Sequence, residues 1–136
     1  MELTIEMTSA EKRSLYRKNN LMSGHYMNLT PEPMELIRTR KKTIELRLYD
    51  EKRKAIRVGD KITFTNTEDQ EDTLTVSVDD LYLFDSFEEL YKALPLTECG
   101  YTEEDIDTAS PSDMDIYYPK EKQAKYGVVG IKVKVI

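Results

Sequence analysis

Lys42, Glu45 and Arg47 are three closely spaced residues of the types that a polar ligand site needs. A carboxylate accepts hydrogen bonds from amines, while an ammonium and a guanidinium donate to carbonyl, sugar or phosphate oxygens. Around them Ile44, Leu46 and Leu48 alternate with Thr43, Glu45, Arg47 and Tyr49. A period of two describes a half-buried strand, with three aliphatics facing the core and a hydroxyl, a carboxylate and a guanidinium sharing the other face. Lys42 stands at the strand's entrance, and its stem is long enough to bring the ammonium towards Glu45. Spacing alone favours a plainer alternative, in which Glu45 and Arg47 are cross-strand partners on a solvated sheet face.

The charge distribution narrows the ligand. Charged residues make up 34% of the 136 and the net charge is -6. From Arg38 to Lys61 there are ten basic and four acidic residues, whereas Asn66 to Ile116 holds sixteen acidic residues and only Lys92. So acidic a half argues against indiscriminate binding along a duplex, where phosphate neutralisation dominates affinity. A local basic cleft for one nucleotide or a short single strand is compatible with it. The single cysteine, Cys99, allows no intrachain disulfide and fits a reducing compartment. Its acidic neighbour Glu98 should raise the thiol pKa and blunt its nucleophilicity. His25 is the one histidine, which excludes a histidine-rich metal site, and no glycine-rich phosphate loop or calcium loop is present. The sequence therefore implies no cofactor and no metal. No secretory signal and no apolar run of membrane-spanning length occurs, so the chain reads as cytoplasmic with no membrane partner.

The elements that must position the charged strand follow from local patterning. Residues 1–23 read as an N-terminal extension, with a short polar helix over 11–18 after a capping box at Thr8–Glu11. A first strand is expected over 24–29, then a helix with Thr30 as N-cap and Pro31 at its first position, ending by Thr39 or Arg40. Val58-Gly59-Asp60-Lys61 is a turn, Ile62-Thr63-Phe64 a short strand, and 66–72 an acidic loop. Leu74, Val76 and Val78 begin a strand that continues through Phe84, with a change of phase at Asp79-Asp80 that marks a bulge. Ser86 caps a helix ended by Pro95, short helical turns follow Thr102 and Pro111, and Lys120 to Lys125 precedes a last strand over 129–135. Lys132 and Lys134 lie on its polar side, as on an edge strand. Five strands with few intervening helices do not make a regular βαβ series. The fold class is α+β: a small, mostly antiparallel β-barrel with flanking short helices, formed by residues 24–136 as one domain.

Several of these stretches together carry a family resemblance. His25-Tyr26-Met27-Asn28-Leu29, Lys42 to Arg47, the Val58–Ile62 turn, Tyr118-Pro119 and Tyr126 to Ile131 resemble the ASCH domain family, over roughly residues 24–136. The resemblance implies a PUA-like β-barrel with a cleft beside it, and a role in RNA or modified-nucleoside metabolism. The family signature is a glycine, a lysine two residues on, a glutamate three later and an arginine two further. Lys42, Glu45 and Arg47 match it, while the glycine position is Arg40. An arginine there must find another geometry or accept strain in the left-handed conformation. On this reading Glu45 accepts from the amine of a nucleobase, Lys42 and Arg47 hold a phosphate, sugar or carbonyl oxygen, and Thr43 shares their face. Tyr118 offers a stacking surface, and Arg53 and Arg57 extend a positive rim.

Two other functions compete with binding of RNA or a nucleoside-like molecule. One branch of the family resembles small amidohydrolases acting on acetylated cytidine. Its lysine corresponds to Lys42, but its catalytic threonine falls where this chain has Glu45. Catalysis would make Glu45 a general base on water and Lys42 the group that polarises the carbonyl, with Glu98, Glu103 or Glu104 as a third member. Two adjacent cations should instead keep Glu45 ionised and weakly basic. The third function is a protein-interaction or regulatory module using the acidic stretch, although such a run is usually a solvated face.

Overall fold

The computed structural model describes residues 24–136, so the helix expected over 11–18 lies outside the described residues. Five strands form one sheet: β1 (Gly24–Leu29), β2 (Ile44–Leu48), β3 (Lys61–Asn66), β4 (Asp69–Phe84) and β5 (Val128–Val135). Their order is β1-β3-β4-β5-β2, with β1 parallel to β3 and every other pair antiparallel. The mixed sheet curls into a half-barrel whose free edges are β1 and β2. Among the described residues four α-helices flank it: α1 (Pro31–Arg38), α2 (Glu51–Lys54), α3 (Phe87–Ala93) and α4 (Lys120–Tyr126). Short 3-10 turns at Leu96–Cys99, Ile106–Thr108 and Pro111–Ile116 fill the connection from α3 to α4.

Apolar burial divides between two clusters. Met34 and Ile37 of α1 pack against Met27, Ile62, Phe64 and Val76 of the sheet. Phe87, Leu90 and Tyr91 of α3 pack with Ile44, Leu48 and Val128 on β2 and β5. Strand β2 therefore contributes its aliphatics to a core, as its alternation requires. Its other face is not solvated, however, because Glu45 is only 4% exposed. Glu45 and Arg47 lie opposite Ile131 and Val129 of β5, which belong to the cluster under α1, so the strand is enclosed on both sides.

Two other expectations need correction, and one helix was not foreseen. The acidic loop at 66–72 is a tight hairpin: β3 runs to Asn66 and β4 starts at Asp69. Side-chain bonds tie this tip down, because Arg38 reaches Asp72 at 2.7 Å and Asn66 reaches it at 3.1 Å. The hydrophilic stretch after Asp50 contains α2, capped by the Asp50 carboxylate, which accepts from the Arg53 N–H. Strand β5 is interior, between β4 and β2, so Lys132 and Lys134 do not mark an edge. The bulge is where the phase change put it, between Val78 and Asp80. Gly59 takes φ +96 in the turn before β3.

Helix α1 ends in the way that bears most on the site. Arg40 has φ +66, and the Lys41 and Lys42 N–H groups both return to the Leu36 carbonyl at 2.9 and 3.0 Å. This left-handed closure is the usual work of glycine after a helix. It reverses the chain within three residues and delivers Lys42 to the start of β2. Arg40 thus accepts the strain instead of finding another geometry. Replacing it with glycine removes the Cβ penalty at some entropic cost, so Arg40→Gly should stabilise the fold by about 0.5–1 kcal/mol. Urea denaturation of the two proteins measures this, and a less stable variant would show that the Arg40 side chain contributes more than its backbone costs.

Candidate functional site

The side chains of Lys42, Glu45 and Arg47 meet as one hydrogen-bonded unit. Lys42 Nζ lies 2.8 Å from Glu45 Oε1, and Arg47 Nε lies 2.7 Å from Glu45 Oε2. Their side chains are 10%, 5% and 11% exposed, so this is a buried ion cluster and not the solvated cross-strand pair that spacing alone favoured. Arg47 also donates from Nη2 to the Asn28 carbonyl at 2.8 Å. That bond spans the open side of the half-barrel, joining edge strand β2 to edge strand β1.

Burial alone would push the Glu45 carboxyl up, but the charges and hydrogen bonds of Lys42 and Arg47 outweigh it and hold the pKa down to about 2. Arg47 is likewise disfavoured by burial and raised on balance by Glu45. At neutral pH the carboxylate is a fixed anion.

The cluster lines a cleft of about 730 Å³, within the range of small-molecule sites. Its lining combines Asn28 and Leu29 of β1, the first turns of α1, β2, and much of the stretch 91–118. Tyr118 lines it and stacks on Phe87, with centroids 6.2 Å apart and planes 17° from parallel. Tyr101 lines it too, donating to Asp113 Oδ2 at 2.7 Å and lying 2.7 Å from the Tyr91 hydroxyl. Since the Tyr101 proton goes to the carboxylate, Tyr91 is the donor in that second bond. Gly100, at φ +111, lies against the Lys42 stem: a Cβ there would come within 3.3 Å of Lys42 Cδ and 3.6 Å of Nζ. The missing side chain leaves room for the lysine to lie flat on the backbone.

Four of the seven expected site residues come together here: Lys42, Glu45, Arg47 and Tyr118. Thr43, Arg53 and Arg57 are not among the lining residues. Thr43 donates to Glu98 Oε1 at 2.8 Å, and Lys132 approaches both, at 2.6 Å from Glu98 and 3.2 Å from Thr43. With Thr43 N–H bonded to the Glu98 carbonyl at 2.8 Å, this group pins the segment before Gly100 to the entrance of β2. Glu98 is thus committed to Thr43 and Lys132. Its pKa is lowered and that of Lys132 is raised by their mutual hydrogen bond, so neither is poised as a base. Arg53 bonds the Asp50 carboxylate at 3.0 Å. His25 pairs with Asp60 at 2.8 Å and is absent from the lining. Cys99 is buried, and burial is the main cause that pushes its thiol up to about 12.

Residues that sequence reasoning missed are Asn28, Tyr91, Gly100, Tyr101 and Asp113. Asn28 contributes a backbone carbonyl, which any residue type would supply, and the Tyr101–Asp113 pair joins positions with no recognisable spacing. Among the described residues no group of three His, Cys, Asp or Glu is arranged to hold a metal, and no helix is long and apolar enough to cross a membrane.

The cluster makes a definite demand on stability. Glu45→Gln leaves two buried cations without their anion and should cost about 3 kcal/mol at neutral pH. In the parent protein the folded-state pKa of about 2 lies below the ordinary value of 4.5. The stabilisation is therefore complete above about 4.5 and is lost as pH falls towards 2. The variant should lack that part of the acid-side slope. Denaturation curves at several pH values test both effects, and equal stability at neutral pH would refute the role given to Glu45.

Comparison with known proteins agrees with this architecture. The family model described as ASCH domain matches residues 27–136. The crystal structure of the hypothetical protein PH0355 is 34% identical, with a TM-score of 0.67, and the match covers 83% of this chain and 99% of that one. The solution structure of PF0455 from Pyrococcus furiosus is 36% identical over 83% of this chain and 97% of that one, with a TM-score of 0.60. The crystal structure of ASCH from Zymomonas mobilis is 14% identical at a TM-score of 0.55 over 82% of this chain and 67% of that one, a likeness of fold alone. No curated protein matches. By this family match over residues 27–136, the chain belongs to the ASCH domain family.

Proposed function

We propose that the cleft binds a nucleobase-bearing ligand, either a nucleoside or a base exposed in RNA. The observation that carries this reading is the Lys42–Glu45 pair at a cleft wall shared with aromatic rings. A carboxylate has about four acceptor positions, and Lys42 and Arg47 occupy one on each oxygen. Lys42 likewise has protons beyond the one given to Glu45. Acceptor and donor are thus immediate neighbours, 2.8 Å apart, as an amine and a carbonyl or ring nitrogen are neighbours on a base edge. Tyr118, held by its stack on Phe87, supplies a flat face for the base. The family resemblance points the same way.

Hydrolysis of an acylated nucleoside has less support. A carboxylate with a pKa of about 2 is a poor base at neutral pH. Thr43, the nearest hydroxyl in sequence, is engaged by Glu98 and Lys132 and is not part of the cleft lining. Incubation with acetylated cytidine should therefore release no cytidine.

Binding is tested by titrating the protein with nucleosides and with short single-stranded RNA. Tyr118→Leu should weaken the tightest ligand about tenfold, since base–aromatic stacking contributes about 1–3 kcal/mol. Unfolding curves of the variant establish that the fold persists. If no nucleoside or RNA binds, or if the variant binds as well as the parent, the reading fails.

A further inference from the structure

We infer that the cleft takes its ligand without phosphate, as a free nucleoside and not as a nucleotide or a strand of RNA. This rests on the nucleobase-binding reading above and narrows it. The charged residues lining the cleft are two cations, Lys42 and Arg47, against four carboxylates, Glu32, Glu45, Asp105 and Asp113. Both cations are already paired with Glu45, at 2.8 and 2.7 Å. A phosphate entering the cleft would have to compete with a buried carboxylate for each of them, and the other three carboxylates would repel it.

The surroundings strengthen that repulsion. Residues 93–119, which supply Gly100, Tyr101, Asp105, Asp113 and Tyr118 to the cleft, contain seven acidic residues and no lysine or arginine. Glu32, Asp105 and Asp113 are all exposed, so they form a negative rim that an approaching ligand meets first. Like-charge approach of this kind costs affinity and slows association. The basic run at Lys52-Arg53-Lys54 offsets it only through Lys52, which lies close enough to Arg47 for their charges to interact. None of the three lines the cleft, Arg53 is bonded to Asp50 at 3.0 Å, and Lys54 lies 3.6 Å from Glu51.

A neutral nucleoside meets none of these penalties. Its base can lie between the tyrosine rings and its amine can be accepted by Glu45. Ribose hydroxyls can donate to the rim carboxylates, which a phosphate cannot do. The acidic stretch then acts as a filter at the mouth of the site, where patterning alone reads it as a solvated face.

The test is equilibrium binding of the four ribonucleosides and acetylated cytidine, each compared with its 5′-monophosphate, in low and in high salt. At low salt the nucleoside should bind about tenfold more tightly than its monophosphate, a difference of about 1.4 kcal/mol. The gap should narrow as salt screens the exposed rim. Glu32→Gln combined with Asp105→Asn should raise affinity for the monophosphate more than for the nucleoside. A monophosphate that binds as tightly as its nucleoside, or a ratio unchanged in the double variant, overturns the inference while leaving nucleobase binding intact. In that case Lys52→Gln would show whether the basic run holds the phosphate. If neither class binds, the nucleobase reading itself falls, and this inference with it.

Discussion

The structure depends on one buried carboxylate. Glu45 holds Lys42 through one oxygen and Arg47 through the other, and Arg47 carries the connection on to the Asn28 carbonyl. Strands β1 and β2 are the free edges of the sheet, with no backbone ladder between them. A guanidinium is suited to bridging them, because its planar fork can satisfy a carboxylate and a carbonyl in different directions. The closure that a full barrel makes with backbone hydrogen bonds is made here, at one point, by a side chain. The cleft is the space that this incomplete closure leaves.

Such an arrangement is costly, and the surrounding chain is organised to meet the cost. Removing ions from water is unfavourable unless they are closely paired and held in good hydrogen-bond geometry. The left-handed turn at Arg40 aims Lys42 at the cluster, and Gly100 leaves a bare backbone for its stem. Thr43, Glu98 and Lys132 fasten the segment that carries Gly100 to the start of β2. These are polar contacts between residues far apart in sequence, and all serve to position three side chains. Apolar packing supplies the rest: α3 seats its Phe87, Leu90 and Tyr91 under the aliphatic face of β2. Phe87 then orients Tyr118 at the cleft.

What was legible in the sequence was local. The alternation of Ile44, Leu46 and Leu48 identified β2 and its core face, and the phase change at Asp79-Asp80 located a bulge. The pairing of Lys42 with Glu45 followed from the length of a lysine stem. What depended on strand order or on chain returning from afar was not legible. Lys132 and Lys134 look like an edge strand because their alternation carries no information about neighbours, and β5 turns out to have one on each side. Glu45 looked half-solvated because alternation does not reveal that its strand pairs with β5, which puts Glu45 beside Ile131 on the face that packs under α1. The hairpin at 66–72 was hidden by its charge, since Asp69 and Glu71 are poor strand formers that the ladder and the bonds to Asp72 nevertheless hold in place.

The electrostatics of the cleft bear on what kind of work it can do. General acid–base catalysis needs a group whose pKa lies near the working pH, so that it can both take and give a proton. Glu45 is held near 2, and the hydroxyls of Tyr91, Tyr101 and Tyr118 are all pushed upward, chiefly by burial. The carboxylate is therefore charged and the three phenols are neutral throughout the physiological range. Groups locked in single protonation states make a poor proton relay, but they present an unchanging pattern of donors and acceptors. The proposed reading of a base edge requires that constancy, because an edge is distinguished only if each partner keeps its role. The same ion cluster that closes the half-barrel thus suits its cleft to reading a ligand better than to transforming one.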